Sequence, residues 1–343
     1  MVRADADDAE VEPDRADQHG FAGGPRAASR ERRGPGVKPP LRLPVPAGAR
    51  WLVTGGTGFV GRRLVDALDA ASVTVLTRGA ARTAFGEPVR VVSDLAAIAP
   101  DQRFDVVVHL AGEPVAGGPW TPARRTRILR SRPRVAERLV GLVERLEVKP
   151  RAWINASAVG WYGMRGDEPL DETAEARDCF SHRVCAAAES AATAAEAYGL
   201  RVVQLRIGLV LAREGGLLAQ LLVPFRLGLG GRFGAGTHWM SWIERDDLVR
   251  LIAHAAGDDT LRGPVNATAP NPVTNADFVR TLGSVVGRPA FLRIPRLPVE
   301  AILGDLAREL LFGGQRVLPA RALESGFEFR YRELREALAY ALE

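Results

Sequence analysis

The chain of 343 residues is 46% hydrophobic and 25% charged, with a formal net charge of +5. That is enough apolar content for a substantial core and, at roughly 100 to 200 residues per domain, enough length for two domains. No uninterrupted apolar stretch reaches the roughly 18 to 20 residues that span a bilayer, and the N-terminus lacks the apolar core of a secretory signal. Cys179 and Cys185 are the only cysteines, too few for a disulfide framework, so no membrane role and a cytoplasmic location are expected. Lysine occurs only at Lys38 and Lys149, so the basic charge is almost all arginine. It is not clustered: residues 124–138 carry arginines interleaved at helical spacing, like a solvated face, and no nucleic-acid partner is expected.

Residues 1–48 are rich in Ala, Asp, Arg, Gly and Pro, lack aliphatic periodicity and end in KPPLRLPVPAG, so they read as a disordered tail. The acidic ADADDAEVEPD argues against a mitochondrial type of transit peptide. From residue 49 strand and helix alternate. Strands are predicted at 50–54, 73–77, 89–93, 105–110, 152–156 and 201–206, several of them continuous apolar runs of the kind buried on both faces of a parallel sheet. A long helix opens at Thr121 as N-cap with Pro122 first, and Pro133 is expected to kink or divide it. A second, alanine-rich helix runs from about Ser181 to Tyr198. The pattern predicts an α/β, Rossmann-type doubly wound parallel sheet over 49–211 and 240–265. Residues 212–239 and 266–343 are expected to form a smaller, mostly helical substrate-side domain, with Asp246 or Asp247 capping a helix, a short strand at 290–294 and a closing helix at 332–342.

The segment WLVTGGTGFVGRRL, residues 51–64, carries the most function. Gly55, Gly58 and Gly61 stand at i, i+3 and i+6 between a strand-like run and Phe59, Val60, Leu64 and Val65 at helical spacing. Glycines there permit a tight turn and close backbone approach to a pyrophosphate, which the helix N-terminus attracts. Thr54, Gly55, Thr57, Gly58, Phe59, Val60 and Gly61 are therefore cofactor candidates. Ligands of such sheets lie outside the carboxyl ends of the strands, which adds Leu110, Ala111, Gly112 and Ser157. An acid about 20 residues after the glycines would bind the adenosine ribose hydroxyls, but VTVLTRGAAR places Thr77 and Arg78 there. Arg78, assisted by Arg82 or Arg62, favours the 2′-phosphate of NADP (NADPH) over NAD. Asp94 and Leu95, after the third strand, are candidates to touch adenine.

TGGTGFVG, DVVVHLAGEPV, INASAVGWYG and RIGLVL resemble the extended short-chain dehydrogenases/reductases, the group that contains the NAD-dependent sugar epimerases and dehydratases. HLAGEPVAGGPWT, VPFRLGLGGRFGAGTHWMSWIERDDLV, NATAPNPVTNADF and FGGQRVLPARALESGFEFRY resemble, more narrowly, an epimerase-like subfamily with a DUF1731-like C-terminal segment. The resemblance implies a Ser or Thr near the end of the fifth strand and a Tyr-x-x-x-Lys pair on the following helix. There the tyrosine passes a proton as hydride moves, and the lysine lowers its pKa while holding the nicotinamide ribose. Ser157 matches the first element. In FSHRVCAAAE, however, Ser181 stands at the tyrosine position and Cys185 at the lysine position, so the pair is absent.

Two substitutes stand nearby. Tyr162 either reaches the crevice as a proton donor or packs on nicotinamide or substrate. His182 is either an acid/base or a polar lining residue; it shares a helix face with Cys185 and Glu189, and Cys185 is expected to pack beside the cofactor. A zinc site from Cys179, His182 and Cys185 fails on distance, because six helical residues rise about 9 Å while zinc ligands lie about 2.3 Å from the metal; no metal is expected. Residues 224–236, PFRLGLGGRFGAG, offer Arg226 and Arg232 to an anion or form a plain connection. Trp239, with Trp242 and His238, can close the pocket, and Glu113 completes the substrate set. The expected protein is an NADP-binding, epimerase-like oxidoreductase acting on a small anionic or hydroxylated substrate, with a homodimer through the flanking helices compatible. A non-catalytic NADP(H)-binding sensor and a NAD-dependent nucleotide-sugar epimerase/dehydratase remain as alternatives.

Overall fold

The apolar runs pair into one parallel sheet. Its strands are β1 (Trp51–Thr54), β2 (Val73–Leu76), β3 (Arg90–Val92), β4 (Val106–His109), β5 (Ala152–Ala158), β6 (Arg201–Ile207) and β7 (Gly263–Ala267). Their order is β7-β6-β5-β4-β1-β2-β3, and every neighbouring pair is parallel. The structure is a computed structural model that describes residues 41–46, 48–78 and 85–343; Arg82 and residues 1–40 of the expected tail lie outside the described residues. The six predicted strands are present, and the order reverses between β1 and β4, the switch point where such sheets bind ligands. β7 was not predicted, because its sequence GPVNA breaks the apolar run with Gly, Pro and Asn.

Alternate strand residues serve opposite faces, as a period of two requires. Trp51 and Val53 pack with Leu64 and Val65 of α1 (Phe59–Ala67) and with Leu248, Val249 and Ile252 of the helix Arg245–Gly257. Leu52, Val107 and Trp153 pack with Ala136, Leu139 and Leu142 of α2 (Pro122–Arg145). Burying each such aliphatic side chain contributes about 1.5–3 kcal/mol. Thr121 caps α2 by accepting from Arg124 N at 3.3 Å, with Pro122 in the first turn. Pro133 does not divide α2; Ile128 and Ala136, both fully buried, hold it to the protein on either side.

The second predicted helix is α3 (Phe180–Thr193), continued by a 3-10 stretch to Tyr198. The helix Arg245–Gly257 is capped by Glu244, which accepts from the amides of Asp246 and Asp247, and not by either aspartate. Asp246 instead binds Arg63 at 2.7 Å and the Tyr340 hydroxyl at 2.8 Å, and Asp247 accepts from the Arg330 and Tyr331 amides at 3.1 and 2.9 Å. Helices Gly216–Arg226, Asn275–Val286 and Leu334–Leu342 share a separate core around Phe225, Trp242 and Phe278. The C-terminal residues divide between the two cores, since Ala322, Phe327 and Phe329 join the sheet cluster. Leu41 is buried in that cluster and Leu43 and Val45 pack against it, so the folded part starts before residue 49. Among the described residues no helix is long and apolar enough to cross a membrane.

Candidate cofactor and substrate site

β1 ends at Thr54 and the chain turns at once through Gly55, whose φ of 73° suits glycine. A Cβ on Gly55 would also lie 2.7 Å from Ala111 N and Leu110 C. Gly61 sits against the Gly55 carbonyl oxygen so closely that a Cβ would overlap it. Gly58 is different: a Cβ there would meet only that same oxygen, at 3.2 Å, so what glycine preserves is open space above the turn. Gly58 is the N-cap of α1, no side chain caps the helix and its first turn holds no acid. The helix therefore presents backbone N–H groups and the positive end of its dipole to an anion.

Other cofactor candidates divide between the crevice and the core. Thr57 is exposed, whereas Val60 packs on the sheet cluster and the Phe59 ring lies against Gly215. Thr54 is buried and its hydroxyl bonds His109 Nδ1 at 2.7 Å. His109 Nε2 donates to the Arg132 carbonyl at 3.3 Å, which leaves Nδ1 to accept; burial holds this imidazole down to about 4, hence neutral. The Thr54 side chain thus joins two strand ends and does not face a ligand. Arg78 stands exposed just past β2. Asp94 accepts from Arg138 at 2.8 Å and from Ala96 N at 3.2 Å, both at Oδ1 of an exposed side chain, and Leu95 is buried on the α2 side of the core.

Past the carboxyl ends of β4, β5 and β6 lies a cavity of about 400 Å³. Leu110, Arg132, Ser157, Gly160, Ser181, Val184 and Cys185 line it from the sheet side. Leu209, Leu217, Phe233, His238, Trp239, Met240, Asn275, Glu309 and Leu310 line the rest. Ser157 Oγ donates to Glu189 Oε1 at 2.6 Å. Both oxygens of Glu189 also accept from Arg206, at 3.1 Å each, with the two side chains only 13% and 4% exposed. The Ser157 proton is therefore committed to a salt-bridged carboxylate. What Ser157 offers the cavity is a lone pair, which suits a ligand O–H or N–H.

The two substitute acids are placed elsewhere. Tyr162 is fully buried, donating to Asn266 Oδ1 at 2.7 Å and accepting from Arg206 at 3.2 Å. It does not line the cavity, and burial raises its pKa above the ordinary phenol value. His182 Nδ1 donates to the Trp161 carbonyl at 2.6 Å and likewise stays off the cavity wall. Arg206, stacked 3.4 Å from the Trp161 ring, holds the Tyr162 hydroxyl, whereas His182 is held by the Trp161 carbonyl. Cys185 lines the cavity as expected; burial pushes its thiol up to about 11, and its Sγ bonds the Ala158 carbonyl at 3.6 Å.

Ser181, at the tyrosine position, is bound through N and Oγ to Glu309 at 2.8 and 2.6 Å, and Phe180 N meets the same carboxylate at 3.0 Å. Glu309 comes from the turn Ala307–Leu311 of the C-terminal segment and acts as an anionic cap on α3. Trp239 lines the cavity and donates to Asp167 at 2.7 Å, but Trp242 is a core residue with no exposure. Arg226 and Arg232 are exposed and off the cavity wall, because residues 216–226 are helical and 231–233 form an edge strand. Glu113 contributes its carbonyl, which accepts from Arg132 at 3.3 Å. His238 lines the cavity and burial holds it down to about 4.

Sequence reasoning missed Glu189, Arg206, Arg132 and Glu309 as site residues. Arg206 alone left a signal, as a charge inside the apolar strand RVVQLRI.

The sequence-family model described as NAD dependent epimerase/dehydratase family matches residues 51–266, and a second, described as a domain of unknown function (DUF1731), matches residues 294–341. The chain is 38% identical over 299 residues to the chloroplastic epimerase family protein SDR39U1 homolog of Arabidopsis thaliana, covering 83% of this chain and 84% of that protein. Its fold is similar to the crystal structure of human epimerase family protein SDR39U1 with NADPH: TM-score 0.77, 32% identity, 85% of this chain and 99% of that chain. It is also similar to a Corynebacterium glutamicum structure named as a nucleoside-diphosphate sugar epimerase, with TM-score 0.69 and 34% identity over 87% of this chain and 59% of that chain. By its glycine turn, its sheet order and these likenesses, the chain belongs to the NAD-dependent epimerase/dehydratase family.

Proposed function

We propose that the protein binds NADPH across the carboxyl ends of β1, β4 and β5 and is an epimerase-like oxidoreductase for a small, largely apolar substrate bearing a hydroxyl or carbonyl group. The glycine turn carries the reading: Gly55 and Gly61 build it, Gly58 leaves room above it, and no side chain caps α1. Those amides suit the diphosphate, and Arg78, exposed past β2 where an acid would repel it, suits the 2′-phosphate. The NADPH in the human relative supports the same choice of cofactor. When bound, NADPH supplies a hydride. The chain's part is to exclude water with Leu110, Phe233 and Trp239 and to orient the substrate oxygen at the Ser157 lone pair. His238, lining the other part of the same cavity and held neutral by burial, offers the ligand a hydrogen bond and not a charge.

The commitment of Ser157 to Glu189 and of Ser181 to Glu309 favours one second reading, a protein that binds NADP(H) and reports redox state without turnover. Nucleotide-sugar epimerisation is less well served, since Arg226 and Arg232 stand away from the cavity.

Titration with NADPH and NADH, followed by nicotinamide fluorescence, tests the proposal. NADPH is expected to bind more tightly, and Arg78→Ala to lose about tenfold or more of that preference, as removal of a charged hydrogen bond would. Binding of neither nucleotide would sink the reading, and an unchanged preference in Arg78→Ala would remove that residue's role. Oxidation of NADPH by members of a carbonyl panel identifies the enzyme; tight binding without turnover identifies the sensor.

A further inference from the structure

Arg132, midway along α2, is half-buried on the cavity wall and lacks the carboxylate that several inward-facing arginines have. Arg206 has Glu189, Arg63 has Asp246 and Arg245 has Glu214 as ion-pair partners at 3.1, 2.7 and 3.1 Å. Arg132 lines the cavity, and among the described residues no carboxylate pairs with it. Its Nη1 donates to the Glu113 carbonyl at 3.3 Å and approaches Ser131 Oγ at 3.5 Å, both neutral acceptors. Glu113 and Cys185 act on it only through space, and the Cys185 thiol is held neutral by burial.

A half-buried guanidinium on a cavity wall, satisfied only by neutral acceptors, keeps its charge available to an anionic ligand. The seat is also shaped for it. A Cβ on Gly112 would lie 2.6 Å from Arg132 Cζ, so the guanidinium lies flat on the glycine that follows Leu110 and Ala111, the residues in contact with Gly55. This puts Arg132 beside the glycine turn and next to Cys185. The substrate-side residues Phe233, Trp239 and Leu310 of the same cavity are apolar. Charge balance points the same way. The N-terminus of α1 offers roughly half an elementary charge, whereas a diphosphate carries about two, so a nearby guanidinium adds to the attraction.

We propose that Arg132 is the resident cation of the cofactor site: it holds the diphosphate and ribose of the nicotinamide half of NADPH, delivering from α2 the charge that Cys185 cannot deliver from α3. The inference rests on the NADPH reading, and its test separates the two. Full-length wild type, Arg132→Met and Arg132→Lys are titrated with NADPH and with adenosine 2′,5′-bisphosphate, which lacks the diphosphate bridge and second ribose, and the ligand-free proteins are melted. Arg132→Met is expected to weaken NADPH about tenfold or more, with Arg132→Lys intermediate. The bisphosphate should stay within about twofold and the ligand-free melting temperature within about 2 °C. Wild type that binds NADPH alongside an Arg132→Met that binds it equally well overturns the assignment. So does equal weakening of both ligands with a lowered melting temperature, which marks a structural arginine. Wild type that binds neither ligand overturns the NADPH reading itself.

Discussion

Removing the Glu189 carboxylate strands a charge. Glu189 receives three hydrogen bonds, from Ser157 Oγ at 2.6 Å and from Arg206 Nε and Nη2 at 3.1 Å each. In Glu189→Ala, Arg206 remains only 4% exposed, its polar company reduced to the Tyr162 hydroxyl and the face of Trp161. Removing one partner of such a buried pair costs about 3–5 kcal/mol, most of it from the uncompensated charge left behind. For a protein of this size that lowers the melting temperature by roughly 5–15 °C. Arg206→Met alone leaves Glu189 buried and unpaired and should cost a similar amount. The double variant removes both charges together and should lose less than the sum of the singles by at least about 1 kcal/mol. Urea denaturation of the four proteins measures each term. A loss below about 1 kcal/mol in Glu189→Ala, or additivity within about 0.5 kcal/mol, would refute the argument that the pair is held as one buried unit.

The glycine turn predicts a contrast between two alanine substitutions. Gly61→Ala forces a Cβ into the Gly55 carbonyl and should lower stability and abolish NADPH binding. Gly58→Ala meets only a 3.2 Å approach and should keep its melting temperature within a few degrees while weakening NADPH at least about tenfold; equal behaviour of the two in melting and titration would contradict this division. Burial pushes both Cys179 and Cys185 thiols up to about 11, so alkylation of the folded protein by iodoacetamide at pH 8 should run about a hundredfold slower than for an exposed thiol. Rapid modification, read by mass spectrometry, would contradict it. His109, held down to about 4 by burial, stays neutral in the fold while the unfolded chain takes up a proton below about pH 6.5. Between pH 6.5 and 4 the unfolded state binds more protons, so stability falls as pH falls. The slope should be shallower in His109→Asn, and identical pH profiles would remove His109 from the account.

The scaffold was legible in the sequence where elements are set by local pattern. The strands announce themselves as apolar runs, and α2 by Thr121 and Pro122 at its start. The turn at Gly55 announces itself because tight backbone approach and positive φ both demand glycine. The wall of the cavity was legible only in part, because its polar residues are paired across large distances along the chain. Ser157 and Glu189 meet through neighbouring elements, and Glu309 reaches α3 from the C-terminal segment. Arg132 sits among arginines that share its helix and its spacing, and only the tertiary fold turns this one inward while leaving Arg138 outside on Asp94. Tyr162 and His182 show the converse, since position near the site in the sequence does not fix a side chain's direction: Asn266 and Arg206 hold the Tyr162 hydroxyl, and the Trp161 carbonyl holds His182.

Glu309 has a consequence for how this protein can be recombined. Its carboxylate closes the first turn of α3, and Asp246 and Asp247 are bound in turn by Tyr340 and by the amides of Arg330 and Tyr331. The C-terminal segment is thus a strap cross-stitched into α3 and the helix Arg245–Gly257 and not a detachable module. A chimera that grafts this segment from a relative inherits a mismatch unless the acid over α3 and the acceptors on the helix Arg245–Gly257 travel with their counterparts. Exchange of either region alone would leave these carboxylates or their donors without partners.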